Sequence, residues 1–438
     1  MSTTLPLRSR SVLTAAMGSV RKRLAAGRGA LCLSITALAA FECPAQSAYS
    51  QQNLVSDLAG VAGHTDTNLV NPWGIAFGAT TPFWITDNRT GRATVYDSSG
   101  TPQTAVVSVP PASGGTSPSA PSGIVFNTTA SFPVTPGTPA RFIFSTENGV
   151  IVAWSSGTTA LRKVDNSASS ARYKGLAIGS DAGTDYLYAT DFHGGKVDVF
   201  DANFGPALSG SFVDPNQPAG YAPFGIQNIG GQIYVSFALQ NASGEEAVPG
   251  AGHGFVDLFT VRGVLVRRFA TQGVLNSPWG LVQAPPGFGV FSGKLLIGNF
   301  GDGRINAFDP ATGTWLGALL DANHSPLVLN GLWGLTFGNG SSAGDSHTLY
   351  FTAGIPGTGA LEDHGLFGSL SLVHPKFTSI SNSVAGISLT WSGGSGSFQL
   401  QFKTNLADSG WANLLTTTNH GATVPATVPN GLFRLLSN

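Results

Sequence analysis

Six triplets decide the reading of this chain: Trp73-Gly74-Ile75, Ser122-Gly123-Ile124, Lys174-Gly175-Leu176, Phe224-Gly225-Ile226, Trp279-Gly280-Leu281 and Trp333-Gly334-Leu335. Their glycines stand 49, 52, 50, 55 and 54 residues apart. A β-rich run follows each one: FWITDN from 83, IFSTEN from 143, YLYATD from 186, IYVSFA from 233, LLIGNF from 295 and LYFTAG from 349. A third run opens on Gly91, Gly149, Gly195, Gly254, Gly303 or Gly365, as in GRATVYD, GKVDVFD and GRINAFD. Fourth runs come next, as at 104–109, 264–270 and 316–321.

Four short strands in about 50 residues, repeated six times, are the pattern of propeller blades. Glycine at a fixed place in each unit allows tight turns and close approach of the inner strands. No helical period runs through residues 48–438. The sixth unit leaves through His374-Pro375 without a fourth strand, and 53–58 fits that gap. Closure by this strand would remove an exposed sheet edge. The expected fold is therefore all-β: a six-bladed β-propeller over 53–375, closed by an N-terminal strand, plus a small C-terminal β-sandwich-like module over 376–438. The blades are expected near 72–110, 121–165, 173–214, 222–270, 277–321 and 331–373. The module's strands are read at 387–391, 398–403, 411–415 and 432–436.

The amino end reads as an address. Arg8, Arg10, Arg21, Lys22, Arg23 and Arg28 precede the apolar run 30–41 (ALCLSITALAAF), and Ala45-Gln46-Ser47 offers small residues for cleavage. Such a stretch is a secretory signal peptide, placed at 1–47 with the mature start near Ala48. Its apolar run has 12 residues, short of the ~20 that a spanning helix needs. A start at Met17 rather than Met1 would give a leader of ordinary length. Both cysteines, Cys32 and Cys43, fall inside it, and Phe41-Glu42 before Cys43 does not suit lipidation. A secreted or periplasmic product follows, needing no disulfide.

Charge is scarce: 22 Lys+Arg and 23 Asp+Glu in 438 residues, 10% in all, against 58 glycines and 26 prolines. Loss of six basic residues and Glu42 with the leader leaves 16 basic and 22 acidic, a net of −6. That balance excludes a nucleic-acid binder, a coiled coil and a charged disordered chain. A closed ring needs no partner to cover its edges, so a monomer is expected.

The TD-x-x-x-G-x-x-x-V-[YF]-D pattern of 86–97 and 190–201 resembles NHL-repeat propellers. The opening stretch 53–77, with His64-Thr65-Asp66 and NLVNPWGIAF from 68, is similar to a family of secreted bacterial six-bladed propellers of unassigned function. The resemblance covers roughly 53–375; it implies export and fold, and carries no activity. Members of that family often end in a PEP-type sorting tail. Residues 376–438 are instead similar to small β modules that end secreted proteins of Verrucomicrobia and related bacteria.

In a propeller, the loops from fourth to first strand and from second to third strand open on one face, where functional groups gather. Five histidines map there: His64, His193, His253, His324 and His364. Asp87, Glu147, Asp191 and Asn299, read as ending their second strands, could converge on the axis and hold Ca²⁺ through oxygen. Lactonase-type six-bladed propellers use a comparable Glu/Asp/Asn set, and amidating-lyase propellers hold zinc with channel histidines; both are analogies of fold. The plainer reading is that each acid caps the turn after its strand. Among candidates for catalysis, His193 stands beside the acidic ring, and His64 has Asp66 near enough in sequence to orient it. Trp73, Trp279 and Trp333, with Phe224, read as packing between blades or as a stacking platform. The loops 238–253 (Glu245-Glu246) and 353–364 (Glu362-Asp363) read as lids over the mouth.

No P-loop, serine elbow or HExxH helix occurs. The expected function is binding of an extracellular ligand or partner, carbohydrate or protein, at the channel mouth. The alternative is a metal-dependent hydrolase or lyase at the same place, using Ca²⁺ or Zn²⁺.

Overall fold

The structure is a computed structural model and describes residues 47–358, 361–383, 385–394, 397–405, 407, 410–425 and 431–437. All of the expected signal peptide except Ser47 lies outside the described residues. The described chain is all-β and propeller-like, built from small antiparallel sheets with two single-turn 3-10 helices. None of its helices is long and apolar enough to cross a membrane.

Each of the six triplets lies in the first strand of its own sheet: Pro72–Ala76, Pro121–Phe126, Tyr173–Asp181, Tyr221–Ile229, Pro278–Gln283 and Leu332–Phe337. In the first, second, fourth and fifth sheets three further strands follow in chain order. The third sheet has three strands, ending at Lys196–Phe200. The expected fourth strand is displaced by a tight turn: Asp201 Oδ1 accepts Asn203 N and Gly205 N at 2.8 Å each, and Phe200 makes one isolated bridge to Pro206. A proline has no N–H to continue a ladder.

In the last sheet Leu332–Phe337, Leu349–Ala353 and Leu366–Leu372 are followed in space by Tyr49–Ser56, antiparallel, with Tyr49 opposite Leu372 and Ser56 opposite Leu366. This pairing starts four residues before the expected 53. Ala48 O accepts Val373 N at 2.9 Å, and Tyr49 N donates to Leu320 O at 2.8 Å, so the residues at the expected mature start are themselves packed.

The sheets abut through their glycines. A Cβ on Gly74 would stand 2.6 Å from Ser122 O of the next sheet, and one on Gly280 would stand 2.5 Å from Trp333 O. The series returns to its start, since a Cβ on Gly334 would stand 2.6 Å from Trp73 O. A hydroxyl from the second strand stitches four of the six approaches. Thr86 Oγ1 accepts Gly74 N (2.8 Å) and donates to Ser122 O (2.7 Å). Thr190 does the same for Gly175 N and Phe224 O, Ser236 for Gly225 N and Pro278 O, and Thr352 for Gly334 N and Trp73 O. Each bond satisfies a buried amide and carbonyl that no ladder partner reaches. Apolar seams fill the outer parts of the interfaces. Leu54, Phe83, Ile85, Tyr96, Tyr350 and Phe367 join the first and last sheets.

Beyond residue 375 two three-stranded sheets are described. Gly386–Ser392 lies between Lys376–Ser383 and Gly421–Val424, and Phe398–Lys403 lies between Ala412–Thr417 and Leu432–Ser437. Leu389, Trp391, Phe398, Leu400 and Val424 form a common core.

Candidate functional site

The residue before each glycine decides what closes the centre of the ring. Trp73, Phe224, Trp279 and Trp333 come from four different sheets and meet, together with Phe192, in one buried cluster. Trp73 stacks on Trp333 with ring centroids 3.6 Å apart, and Trp279 meets Trp333 edge-on at 5.6 Å. Offset and edge contacts of this kind add stability beyond the area they bury. Trp73 and Trp333 are 2% exposed and Trp279 is 9% exposed, so their rings are plug, not platform.

Lys174 holds the same position in the third sheet, and it is fully buried. Its Nζ stands 5.2 Å over the Trp73 ring and 5.8 Å over the Phe192 ring, where the aromatic faces attract a cation. The ammonium donates to Glu147 and, at 3.2 Å, to Glu246. Asn88 Nδ2 donates to the other Glu147 oxygen at 2.8 Å. Burial opposes ionisation of Glu147, but Lys174 and Asn88 outweigh it and hold the carboxyl below its usual range. Burial likewise opposes the charge on Lys174, and the two glutamates hold its pKa above the ordinary value.

The two long loops supply the rest of this cap. Glu246 comes from the first of them, and Arg172 Nη2 donates to Glu245 at 2.5 Å. Glu362 comes from the second and accepts Asn71 Nδ2 at 3.0 Å, while Asn71 Oδ1 takes Trp333 Nε1 at 3.2 Å. Burial pushes the Glu362 carboxyl up to about 6; Asn71 and Lys174 oppose this, and Glu147 and Glu246 reinforce it. The lid residues thus lie over the plug. A cavity of about 560 Å³ lies at the opposite end, where the first strands run out past Ile75, Ile124 and Ile178 toward Phe77, Phe126 and Asn228. A narrower space of about 70 Å³ continues from it to Trp279. The aromatic cluster therefore lies beneath the charged face, and this cavity lies at the other end of the first strands.

The expected acidic ring does not share a register. Cross-strand partners place Asp87 opposite Pro72, Asp191 opposite Tyr173 and Asn299 opposite Pro278, but Thr146 opposite Pro121. Glu147 is therefore one residue further on, beside Asn88, and faces Lys174. Asp191 Oδ1 accepts Arg172 N (2.9 Å) and Gly194 N (3.0 Å), which is the turn-capping role. Asn299 Nδ2 donates to Val274 O (2.8 Å) and Asp302 Oδ1 (3.0 Å). Among the described residues no three His, Cys, Asp or Glu side chains are grouped so as to hold one metal ion.

Asp87 is fully buried, and neither of its oxygens has a hydrogen-bond partner among the described residues. Burial raises its pKa well above the ordinary value; Thr94 and Arg92 oppose this and Asp66 adds to it. Folded protein therefore keeps the Asp87 proton at pH values where the unfolded chain has lost it, and stability falls as pH rises above about 4. Asp87→Asn removes this ionisable group and its pH dependence. Its melting temperature is expected to match wild type near pH 4 and to exceed it increasingly toward about pH 8. A difference that stays constant across that range would refute the assignment.

The histidines are dispersed. His193 is exposed and lies against Gly244 of the first long loop. His64 is half-buried on a two-residue strand beside Val55. Asp66 is engaged elsewhere: Oδ1 takes Asn68 N and Nδ2, and Oδ2 takes Tyr96 OH, each at 2.9 Å. His253 Nδ1 lies 3.0 Å from Val248 O, His364 Nδ1 lies 2.6 Å from Asp57 Oδ2, and His324 is an exposed turn residue. Of the expected metal ligands Glu147 joins this cap; Lys174, Glu246 and Glu362, which the reading of motifs did not select as site residues, are brought to it as well. A lysine at a position otherwise aromatic or small was the available signal.

The sheets define an all-β, propeller-like protein. No protein-family model matches the chain. Two uncharacterized proteins of Acanthamoeba polyphaga mimivirus are similar to it. One is 35% identical over 316 residues, 69% of this chain and 76% of the relative; the other is 34% identical over 313 residues, 68% and 80%. The chain belongs to the family of these two proteins. Virginiamycin B lyase from Staphylococcus aureus is a similar solved structure, with 15% identity and a TM-score of 0.43 over 74% of this chain and 99% of that one.

Proposed function

We propose that the protein is an exported six-bladed, NHL-like propeller, closed by Tyr49–Ser56, that binds a positively charged ligand or partner at the face carrying Lys174. Export is supported by the basic, apolar and small-residue order of the first 47 residues. Six blades and closure are supported by the glycine series that runs from Gly74 to Gly334 and back to Trp73.

One observation carries the binding site. Glu362, on a long loop, makes no ion pair among the described residues: its one described side-chain hydrogen bond comes from Asn71, and its charge is opposed by Glu147 and Glu246 and favoured by Lys174, which those two glutamates already pair. The cap holds two cations, Lys174 and Arg172, against four carboxylates, Glu147, Glu245, Glu246 and Glu362. An ammonium or guanidinium group from a ligand would relieve that excess and would favour the ionised form of Glu362. A metal-dependent hydrolase or lyase has less support, because Glu147 is held by Lys174 and Asp191 by backbone N–H groups.

Spermidine and an oligoarginine peptide are suitable probes in calorimetry. Binding is expected to weaken roughly fivefold or more between about pH 7.5 and pH 5, as Glu362 takes up its proton near 6. Glu362→Gln should show the weaker affinity at both pH values. Affinity independent of pH, or unaltered in E362Q, counts against this site.

A further inference from the structure

Trp315 is exposed, at 49%, on the edge strand Trp315–Ala318 of the fifth sheet, yet its ring is held in place. Its Nε1 donates to Asn306 Oδ1 at 3.1 Å. Asn306 lies on the neighbouring strand and is 2% exposed, and its Nδ2 has no hydrogen-bond partner among the described residues. Both residues line a cavity of about 390 Å³ whose remaining wall includes Asp302, Arg304, Gly273 and Ala318. Asp302 is fixed by Asn299 Nδ2 at 3.0 Å and by Arg304 N at 3.2 Å through one oxygen, Oδ1. The Arg304 side chain is exposed and makes no hydrogen bond or ion pair among the described residues.

These features combine into one kind of surface. A flat indole, held by its own N–H, offers an electron-rich face. Around it stand an acceptor (Asp302 Oδ2), a planar donor fork (Arg304) and a buried amide donor that lacks an acceptor (Asn306 Nδ2). A buried donor left unmet costs free energy, and a ligand oxygen would satisfy it. The small residues Gly273 and Ala318 leave space in the wall. A pyranose ring presents what such a surface requires: a face of weakly positive C–H groups for the indole and a rim of hydroxyls that both donate and accept.

We propose that this pocket binds a neutral sugar residue of a glycan, with Trp315 as the stacking platform and Asp302, Arg304 and Asn306 as the hydroxyl readers. The pocket draws on none of the residues in the Lys174 cap, so it stands apart from the reading of that face.

The test uses the mature chain and tryptophan fluorescence, with calorimetry, against cellohexaose, mannohexaose, xylohexaose, chitohexaose and a galactan oligosaccharide. At least one is expected to bind, with a Kd below about 1 mM. Trp315→Ala should weaken that binding about tenfold or more, and Trp315→Phe should retain part of it. Arg304→Ala should weaken it by roughly threefold to tenfold, and E362Q should leave it unchanged. Failure of every saccharide at about 10 mM overturns the proposal. So does saccharide binding that survives W315A, or that is lost in E362Q instead. A peptide read by the main chain of the edge strand would also bind W315A undiminished.

Discussion

Lys174→Met is expected to lower stability by about 3–5 kcal/mol near pH 7, read by urea unfolding. The reason is the carboxylate left behind rather than the bond removed. Glu147 would remain beside the aromatic plug with Asn88 as its one described partner, in a place where burial already works against its charge. Methionine keeps most of the volume and the contact with Trp73 and Phe192, so little of the loss is cavity. The sign with pH follows. In wild type the lowered pKa of Glu147 contributes stability above the unfolded value near 4.5, and this is lost as pH falls through the folded value. In the variant that contribution is gone and Glu147 is penalised instead, so the gap between the two proteins widens from about pH 4 toward pH 7. The double variant Lys174→Met/Glu147→Gln should recover at least half of the deficit. A single variant within about 1 kcal/mol of wild type near pH 7 would show that the buried pair holds nothing together.

The same cap shows where reading by sequence succeeded and where it stopped. The six triplets are legible because the requirement is steric: a main chain lying against the next sheet tolerates glycine and little else. Whether Trp73 and Trp333 stack on each other is a different matter, since 260 residues separate them and only the packing of the last sheet against the first brings them together. Glu147 illustrates a register error. The letters TEN and TDN invite the pairing of Glu147 with Asp87, but the strand Phe142–Thr146 sets Ser145 level with Thr86. The hydroxyl, not the acid, marks equivalent positions, because the hydroxyl has a bond to make at the glycine amide. Lys174 was legible as an oddity and not as a hub. Its partners Glu147 and Glu246 lie in loops that leave different sheets, and no spacing in one dimension encodes that meeting.

Gly225→Ala is expected to be the most damaging alanine substitution among the six recurring glycines, costing about 3 kcal/mol or more, or preventing folding. Its Cβ would run into the Trp279 carbonyl, and would also stand 2.9 Å from Ser236 Oγ. Neither obstacle is a flexible side-chain end. The carbonyl belongs to the next first strand, and Ser236 is committed to Gly225 N at 2.9 Å and Pro278 O at 2.6 Å. Moving the two sheets apart would break that stitch and pull Trp279 from Trp73 and Trp333. The contacts also return from Gly334 to Trp73, so a shift at one interface is passed to its neighbours rather than absorbed. A graded series tests the cause. At Gly63 a Cβ would meet Leu54 O at an ordinary 3.6 Å, and at Gly175 it would meet Phe224 O at 3.0 Å. Neither position needs a positive φ. Alanine should therefore be nearly neutral at Gly63, within about 0.5 kcal/mol, intermediate at Gly175 and severe at Gly225. Measured unfolding free energies that rank Gly63→Ala beside Gly225→Ala would reject close approach as the reason these glycines recur.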